Sequence, residues 1–154
     1  MNAGSTQRMA AAPPTSLASH EWAQYPRVIV FDGVCNWCNA WVDVVLRHDQ
    51  AGVFRFGTLQ SDAGHRLLRH LHLPTEDFET FILLEGSQVF TKSTAALRVL
   101  QQLPRLTLLA MFAGFIPLPI RDAVYGFIAR NRYRWMGRRQ TCRVPTAHEC
   151  NRFV

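Results

Sequence analysis

The sequence predicts an α/β fold with a small mixed sheet of about four strands, flanked by helices and extended by further helices at the C-terminal end. Short apolar runs bounded by turn residues predict strands at residues 28–31, 52–57, 80–84 and 88–92. Segments with apolar residues at every third or fourth position alternate with these runs and predict helices. A Cys-x-x-Cys pair directly after the first strand is the candidate active site.

The order of the predicted elements is strand, helix, strand, helix, hairpin, helix. The first helix follows the cysteine pair, the second begins at Ser61 and ends before Pro74, and the third begins at Ser93 or Thr94 and ends at Leu103. A right-handed crossover makes the first two strands parallel, and the hairpin supplies an antiparallel edge. This is the minimal thioredoxin-like arrangement.

Cys35 and Cys38 are the candidate catalytic pair. The first turn of a helix has unpaired N–H groups and the positive end of the helix dipole, and both stabilise a thiolate. Cys35 is therefore expected to be the more exposed thiol with a low pKa, while Cys38 shares a stripe with Val42 and Val45 and is expected to face the core. The predicted chemistry is thiol–disulfide exchange, in which Cys35 attacks and Cys38 resolves.

The cysteine pair has two other interpretations, a metal site and two small buried hydrophobic residues. A zinc site requires four ligands, and the remaining cysteines, Cys142 and Cys150, lie eight residues apart in a basic tail without a second CxxC. We therefore expect neither a metal nor a cofactor. A phosphotransferase of the haloacid-dehalogenase type lacks support, because Val30 occupies the position of its nucleophilic aspartate.

Asp32 and Trp37 are the other candidate site residues near the pair. Asp32 either accepts the proton of Cys38 during resolution or forms a turn that hydrogen-bonds to the backbone ahead of the helix. Trp37 lies between the two cysteines, where it can shield the disulfide and bind substrate, or simply pack at the start of the helix. The sequence leaves both alternatives open.

Length and composition predict one globular domain with a tail at each end. The 154 residues are 48% hydrophobic and 18% charged, enough to bury a core. We expect a disordered leader at residues 1–22, a domain at 23–145 with a helical extension at 104–137, and a tail at 146–154. The first 19 residues lack the apolar stretch of a signal peptide. Four cysteines without such a signal favour a cytoplasmic protein.

The positive charge is concentrated in the C-terminal third of the chain. From Arg98 onward there are ten basic and two acidic residues, against seven and nine before it. This asymmetry predicts either a solvated arginine face or attraction to an anionic membrane surface or an acidic partner. Nucleic acid is not expected, because no aromatic pattern for base stacking accompanies the arginines.

Two segments of the C-terminal third are predicted helices. Residues 106–120 are the most apolar run, but their 15 residues fall short of the roughly 20 that span a bilayer, so a buried or membrane-surface helix is expected. Residues 121–136 are predicted to form an amphipathic helix with Val124, Phe127 and Ile128 on its apolar face.

The chain resembles the DCC family of thiol-disulfide oxidoreductases, named for an Asp-Cys-Cys signature that matches Asp32, Cys35 and Cys38. The resemblance extends to the segments FRFGTLQSDAG, KSTAALRVL and ARNRYRWMGRR and covers roughly residues 27 to 145. It implies a thioredoxin-like fold and dithiol–disulfide chemistry on a protein or low-molecular-weight thiol or disulfide substrate.

One position departs from thioredoxins proper. Those enzymes have a cis-proline before the third strand, where it shapes the substrate groove, and here Glu79-Thr80 occupies that place. Thr80 is therefore a candidate substrate-binding residue. The alternative function is a non-catalytic thioredoxin-like module that docks on a membrane surface or a membrane-bound partner through residues 106–120 and the arginine face.

Overall fold

The computed structural model describes residues 20–76 and 81–154, which form a mixed four-stranded sheet flanked by five α-helices. The strands are β1 (Arg27–Phe31), β2 (Arg55–Thr58), β3 (Ile82–Glu85) and β4 (Gln88–Thr91). The helices are α1 (Asn36–His48), α2 (Asp62–His70), α3 (Lys92–Gln101), α4 (Thr107–Gly114) and α5 (Leu118–Met136). Short 3-10 turns lie at Glu21–Gln24 and Cys150–Arg152. The predicted α/β, thioredoxin-like fold is confirmed.

β1 is an inner strand of the sheet, whose order is β2-β1-β3-β4. It runs parallel to β2 and antiparallel to β3, and β3 pairs with β4 as a hairpin. This is the predicted pairing, because the crossover through α1 makes two strands parallel whereas a tight turn makes two strands antiparallel. Residues 28–31 are fully buried because helices cover both faces of the sheet.

Two hydrophobic clusters lie on opposite faces of the sheet. The cluster beneath α1 and α3 includes Ile29, Phe31, Val42, Val45 and Val99. The cluster beneath α2 includes Trp22, Val28, Val30, Leu67 and Leu68. Successive residues of a strand point to opposite faces, so β1 supplies side chains to both clusters. The residues that follow β1 are thus attached to the most buried part of the fold.

Two strands begin at least two residues later than predicted. β2 begins at Arg55 rather than at Gly52, because Gly52 has a φ of +67° and the backbone N–H groups of Val53 and Phe54 donate to the Asp49 carboxylate instead of pairing with a strand. β3 begins at Ile82. Residues 77–80 lie outside the described part of the chain, and so does the candidate substrate-binding residue Thr80.

The C-terminal helices present different faces from those predicted. α4 buries Ala110 but exposes Leu108 and Phe112, so it is not a buried helix. Of the predicted apolar face of α5, Val124 and Phe127 are wrong because they are exposed, whereas Ile128 is partly buried and faces inward. α5 packs against α1 and α3, and the side chains on this inward face are Tyr125, Ile128, Ala129 and the buried Arg132. Apolar residues occur around the whole circumference of α5, so the sequence does not show which side of the helix contacts α1 and α3.

Among the described residues, no single helix is long and apolar enough to cross a bilayer. α4 and α5 meet the length and composition requirement only when taken together, and they are bent by 116° at the break between them.

The chain turns back over the start of α1 after α5 ends. Residues 137–143, which we call the strap, begin with Gly137 at a φ of +78°. Arg138 pairs with Cys35 as an antiparallel bridge, and the Arg139 N–H donates to the Val34 carbonyl at 2.7 Å. A Cβ added to Gly33 would overlap Cys142 Sγ, so a glycine at this position lets the strap close against the turn.

Candidate active site

Cys35 caps the N-terminus of α1, and its Sγ accepts the backbone N–H of Cys38 at 3.2 Å. The turn before the helix is held by Asn39, a buried residue whose amide donates to the Gly33 carbonyl at 2.9 Å and to the Cys35 carbonyl at 2.8 Å. A sulfur in the capping position faces N–H groups that have no partner within the helix. The helix start therefore stabilises negative charge on Cys35.

The pKa values of the two cysteines are shifted in opposite directions. Hydrogen bonds from the Cys38 thiol and backbone N–H, together with the positive charge of Arg132, lower the pKa of Cys35 to about 7 against the opposing effects of burial and Asp32. The hydrogen bond to Cys35, burial and the neighbouring thiolate raise the pKa of Cys38. Near neutral pH, a large fraction of Cys35 is therefore thiolate while Cys38 stays protonated.

The expectation that Cys35 is the more exposed thiol is wrong. Cys35 is fully buried, whereas Cys38 is only partly buried. The strap causes this burial, because it adds a bridge across Cys35 and the Asn36 side chain donates to the Met136 carbonyl at 2.8 Å. The position of Cys35 at the start of a helix predicts that it faces solvent. That position cannot show that a segment about 100 residues further along the chain covers the helix start.

Asp32 is buried and accepts hydrogen bonds from four donors. Its Oδ1 accepts the Val34 N–H at 3.1 Å and the Gln60 amide at 2.5 Å. Its Oδ2 accepts the Arg132 guanidinium at 3.1 Å and the Tyr133 hydroxyl. A carboxylate with four donors has its lone pairs occupied, so these contacts favour a structural and electrostatic role over that of a proton acceptor for Cys38.

Arg132, Tyr133 and Gln60 were not singled out from the sequence. Arg132 is buried, as Asp32 is. Burial of Tyr133 and its hydrogen bond to Asp32 raise the pKa of Tyr133 to about 12. The sequence feature that could have identified them is the family resemblance, because Arg132 and Tyr133 lie in the segment ARNRYRWMGRR and Gln60 lies in FRFGTLQSDAG. Local periodicity could not identify these residues, because each contacts Asp32 from a distant part of the chain.

An apolar pocket of about 170 Å³ opens beside Cys38. It is lined by Trp37, Cys38, Trp41, Phe81, Ala96, Tyr125, Ile128, Ala129 and Arg132. Trp37 is 45% exposed and lies at this pocket, where the sequence makes it a candidate substrate-binding residue. A space of this size holds a single ring or a branched aliphatic side chain. An apolar group next to a substrate sulfur can therefore bind here.

The remaining cysteines do not complete a metal site with the CxxC pair. All four cysteines are free thiols, Cys150 is exposed, and Cys142 lies against Gly33 and Gln60. Within residues 20–76 and 81–154, no three or more His, Cys, Asp or Glu side chains are grouped so as to hold a metal ion.

The model of the DCC1-like thiol-disulfide oxidoreductase family matches residues 29–138, which include the whole cysteine site and Arg132. The chain belongs to this family. It is 44% identical over 128 residues to the uncharacterized protein YuxK of Bacillus subtilis, covering 83% of this chain and 93% of that protein. It is 39% identical over 119 residues to the chloroplastic DCC family protein At1g52590 of Arabidopsis thaliana, covering 76% of this chain and 69% of that protein. No solved structure matches the chain.

Proposed function

We propose that this DCC1-like protein is a thiol-disulfide oxidoreductase in which Cys35 attacks a substrate disulfide and Cys38 resolves the mixed disulfide. The observation that carries the proposal is the opposite pKa shift of two cysteines in hydrogen-bond contact at the start of α1. A nucleophile near pH 7 needs a thiolate, and a resolving thiol must stay protonated until the first exchange is complete. The family match supports the same chemistry.

The reaction transfers two electrons between the cysteine pair and the substrate. The Cys35 thiolate attacks one sulfur of the substrate disulfide, forms a mixed disulfide and releases the other sulfur as a thiolate, which takes up a proton. With Cys35 no longer charged, Cys38 loses its proton more readily, attacks Cys35 Sγ and releases the second substrate thiol. The protein ends with a Cys35–Cys38 disulfide, and the same steps in reverse oxidise a dithiol.

Substrate access requires a movement of the strap. A disulfide in the apolar pocket meets Cys38, while Cys35 lies beneath Arg138. The strap is held over Cys35 partly by exposed contacts of Asn36, which accepts from Arg139 Nε at 3.0 Å and donates its backbone N–H to the Gly137 carbonyl at 3.4 Å. Exposed hydrogen bonds contribute little net stability, so the strap can open without unfolding the domain.

The test is a single-turnover reaction of the reduced protein with bis(2-hydroxyethyl) disulfide. The unaltered protein should release two thiols per chain. Cys38→Ser should release one thiol and retain the other half as an adduct on Cys35 that is visible by mass spectrometry. Cys35→Ser should release none at neutral pH. Cys150→Ser is the matched control, because Cys150 is exposed and away from the site, and it should release two.

Two outcomes contradict the proposal. Release of one thiol by Cys35→Ser, with the other half retained as an adduct on Cys38, would reverse the two roles. No thiol release by the folded, reduced protein, together with no adduct on Cys35 in Cys38→Ser, would favour the non-catalytic binding module.

A further inference from the structure

The redox chemistry does not use an exposed apolar surface on α4, the following turn and the first half of α5. We call it the apolar apex. Its large side chains are Leu108, Leu109, Met111, Phe112, Phe115, Ile116, Leu118, Ile120, Val124 and Phe127. Phe112 is 71% and Phe115 82% exposed. Contiguous apolar patches of this extent on a folded protein indicate an interaction surface.

The charges around the apolar apex have one sign. Arg105 is exposed before its apolar run, and Arg130 and Arg134 are exposed further along α5. Arg121, after the run, is partly buried and donates to Ser93. Asp122 is the one acidic residue between positions 98 and 148. Its carboxylate accepts a hydrogen bond from Ser93, so it is turned toward α3. The surface therefore combines exposed apolar side chains with a positive border.

Neither the N-terminal segment of this chain nor a second copy of the chain is a good candidate to cover the apolar apex. Residues 1–19 contain only Met1, Met9 and Leu17 as large apolar residues, too few to cover ten side chains. A second copy would bring a second positive border against the first, and like charges across an interface are repulsive. An anionic partner that accepts apolar side chains matches both properties of the surface.

We propose that the apolar apex docks on an anionic lipid surface, with its phenylalanine and leucine side chains in the apolar layer and its arginines at the phosphate groups. Interfacial helices combine these two kinds of residue in this way. The same helix, α5, lines the apolar pocket beside Cys38 through Tyr125 and Ile128. Docking would therefore place the redox site close to the membrane surface, where substrates with apolar groups are concentrated.

The test is co-sedimentation of the full chain with vesicles of phosphatidylcholine alone or mixed with phosphatidylglycerol. We expect binding to the mixed vesicles, weakened but not abolished when salt rises from about 0.1 to 1 M and the Debye length falls from about 10 to 3 Å. Phe112→Ser combined with Phe115→Ser should lower the partition coefficient at least about tenfold, given the area that two phenylalanines bury. Val144→Ser, which alters an 83% exposed apolar residue outside the apex, should bind normally.

Circular dichroism and bis(2-hydroxyethyl) disulfide turnover without vesicles should be the same for the double variant and the unaltered protein, which separates docking from the proposed redox function. Equal binding to neutral and anionic vesicles, or no binding to either, would overturn the proposal. A dimer in solution that the double variant abolishes would overturn it in favour of a second copy as the occupant.

Discussion

Asp32 and Arg132, 100 residues apart in the chain, form a buried ion pair with 3.1 Å between Oδ2 and Nη2. The pair joins the turn after β1 to the second half of α5, and both charges act on the cysteines. Arg132 lowers the pKa of Cys35, and Asp32 raises it. The ion pair thus connects the C-terminal helix to the reactivity of the thiolate.

Asp32→Asn should destabilise the protein and lower the pKa of Cys35 further below about 7. Removal of one partner leaves Arg132 buried without its counter-charge, which costs about 3–5 kcal/mol. The pKa falls because the opposing negative charge is gone. Chemical denaturation measures the stability, and the pH dependence of iodoacetamide alkylation of Cys35, followed by mass spectrometry, measures the pKa.

Asp49→Asn is the matched control, because Asp49 is also buried and paired with an arginine, Arg152. It should lose stability and leave the alkylation profile of Cys35 unchanged. If Asp32 instead serves as the base for Cys38, Asp32→Asn should slow release of the second thiol in single turnover while the first step keeps its rate. That result would contradict the structural and electrostatic role.

Arg132→Gln should change the pKa of Cys35 in the opposite direction. Loss of the positive charge raises the pKa above about 7, so the fraction of thiolate at neutral pH and the rate of the first exchange both fall. The same alkylation profile measures the shift. Arg134→Gln, an exposed neighbour on α5, should leave the profile in place. A shift of equal size in both variants would mean that net charge, not contact with the site, sets the pKa.

The elements of this fold were predictable because their signals are local. An apolar run, the Ser61 cap and a Gly86 turn each specify structure within a few residues, and Ser61 does accept the Gly64 N–H. The site was predictable only in part for the same reason. Cys35, Cys38 and Asp32 are neighbours in sequence. The strap and Arg132 contact them from about 100 residues away, and a local pattern such as hydrophobic periodicity cannot predict such a contact.

Arg139→Ala should accelerate the first exchange. The variant removes the hydrogen bond from Arg139 Nε to the Asn36 side chain, and an exposed hydrogen bond of about 0.5–1.5 kcal/mol corresponds to a roughly 2- to 10-fold change in strap opening. Stopped-flow release of the first thiol measures the rate. Arg134→Ala removes the same charge outside the strap and should have no effect. A slower first step in Arg139→Ala would show that the strap assists the attack instead of covering Cys35.

Ala96→Leu should make the enzyme discriminate against bulky apolar substrates. Ala96 of α3 lines the pocket of about 170 Å³ beside Cys38, and three added carbon atoms occupy much of the space that a substrate ring would fill. We expect kcat/KM for an aromatic disulfide to fall about tenfold or more, since one methylene in an apolar pocket already changes specificity by about 10-fold. The small, polar bis(2-hydroxyethyl) disulfide does not need the pocket and should react at an unchanged rate.

Ala123→Leu adds the same side chain at an exposed position of α5 and is the control. The ratio of the two rates is the decisive measurement, because a general disturbance of the cysteines would slow both substrates equally. An aromatic disulfide that reacts with Ala96→Leu at the unaltered rate would refute the pocket as the substrate-binding site.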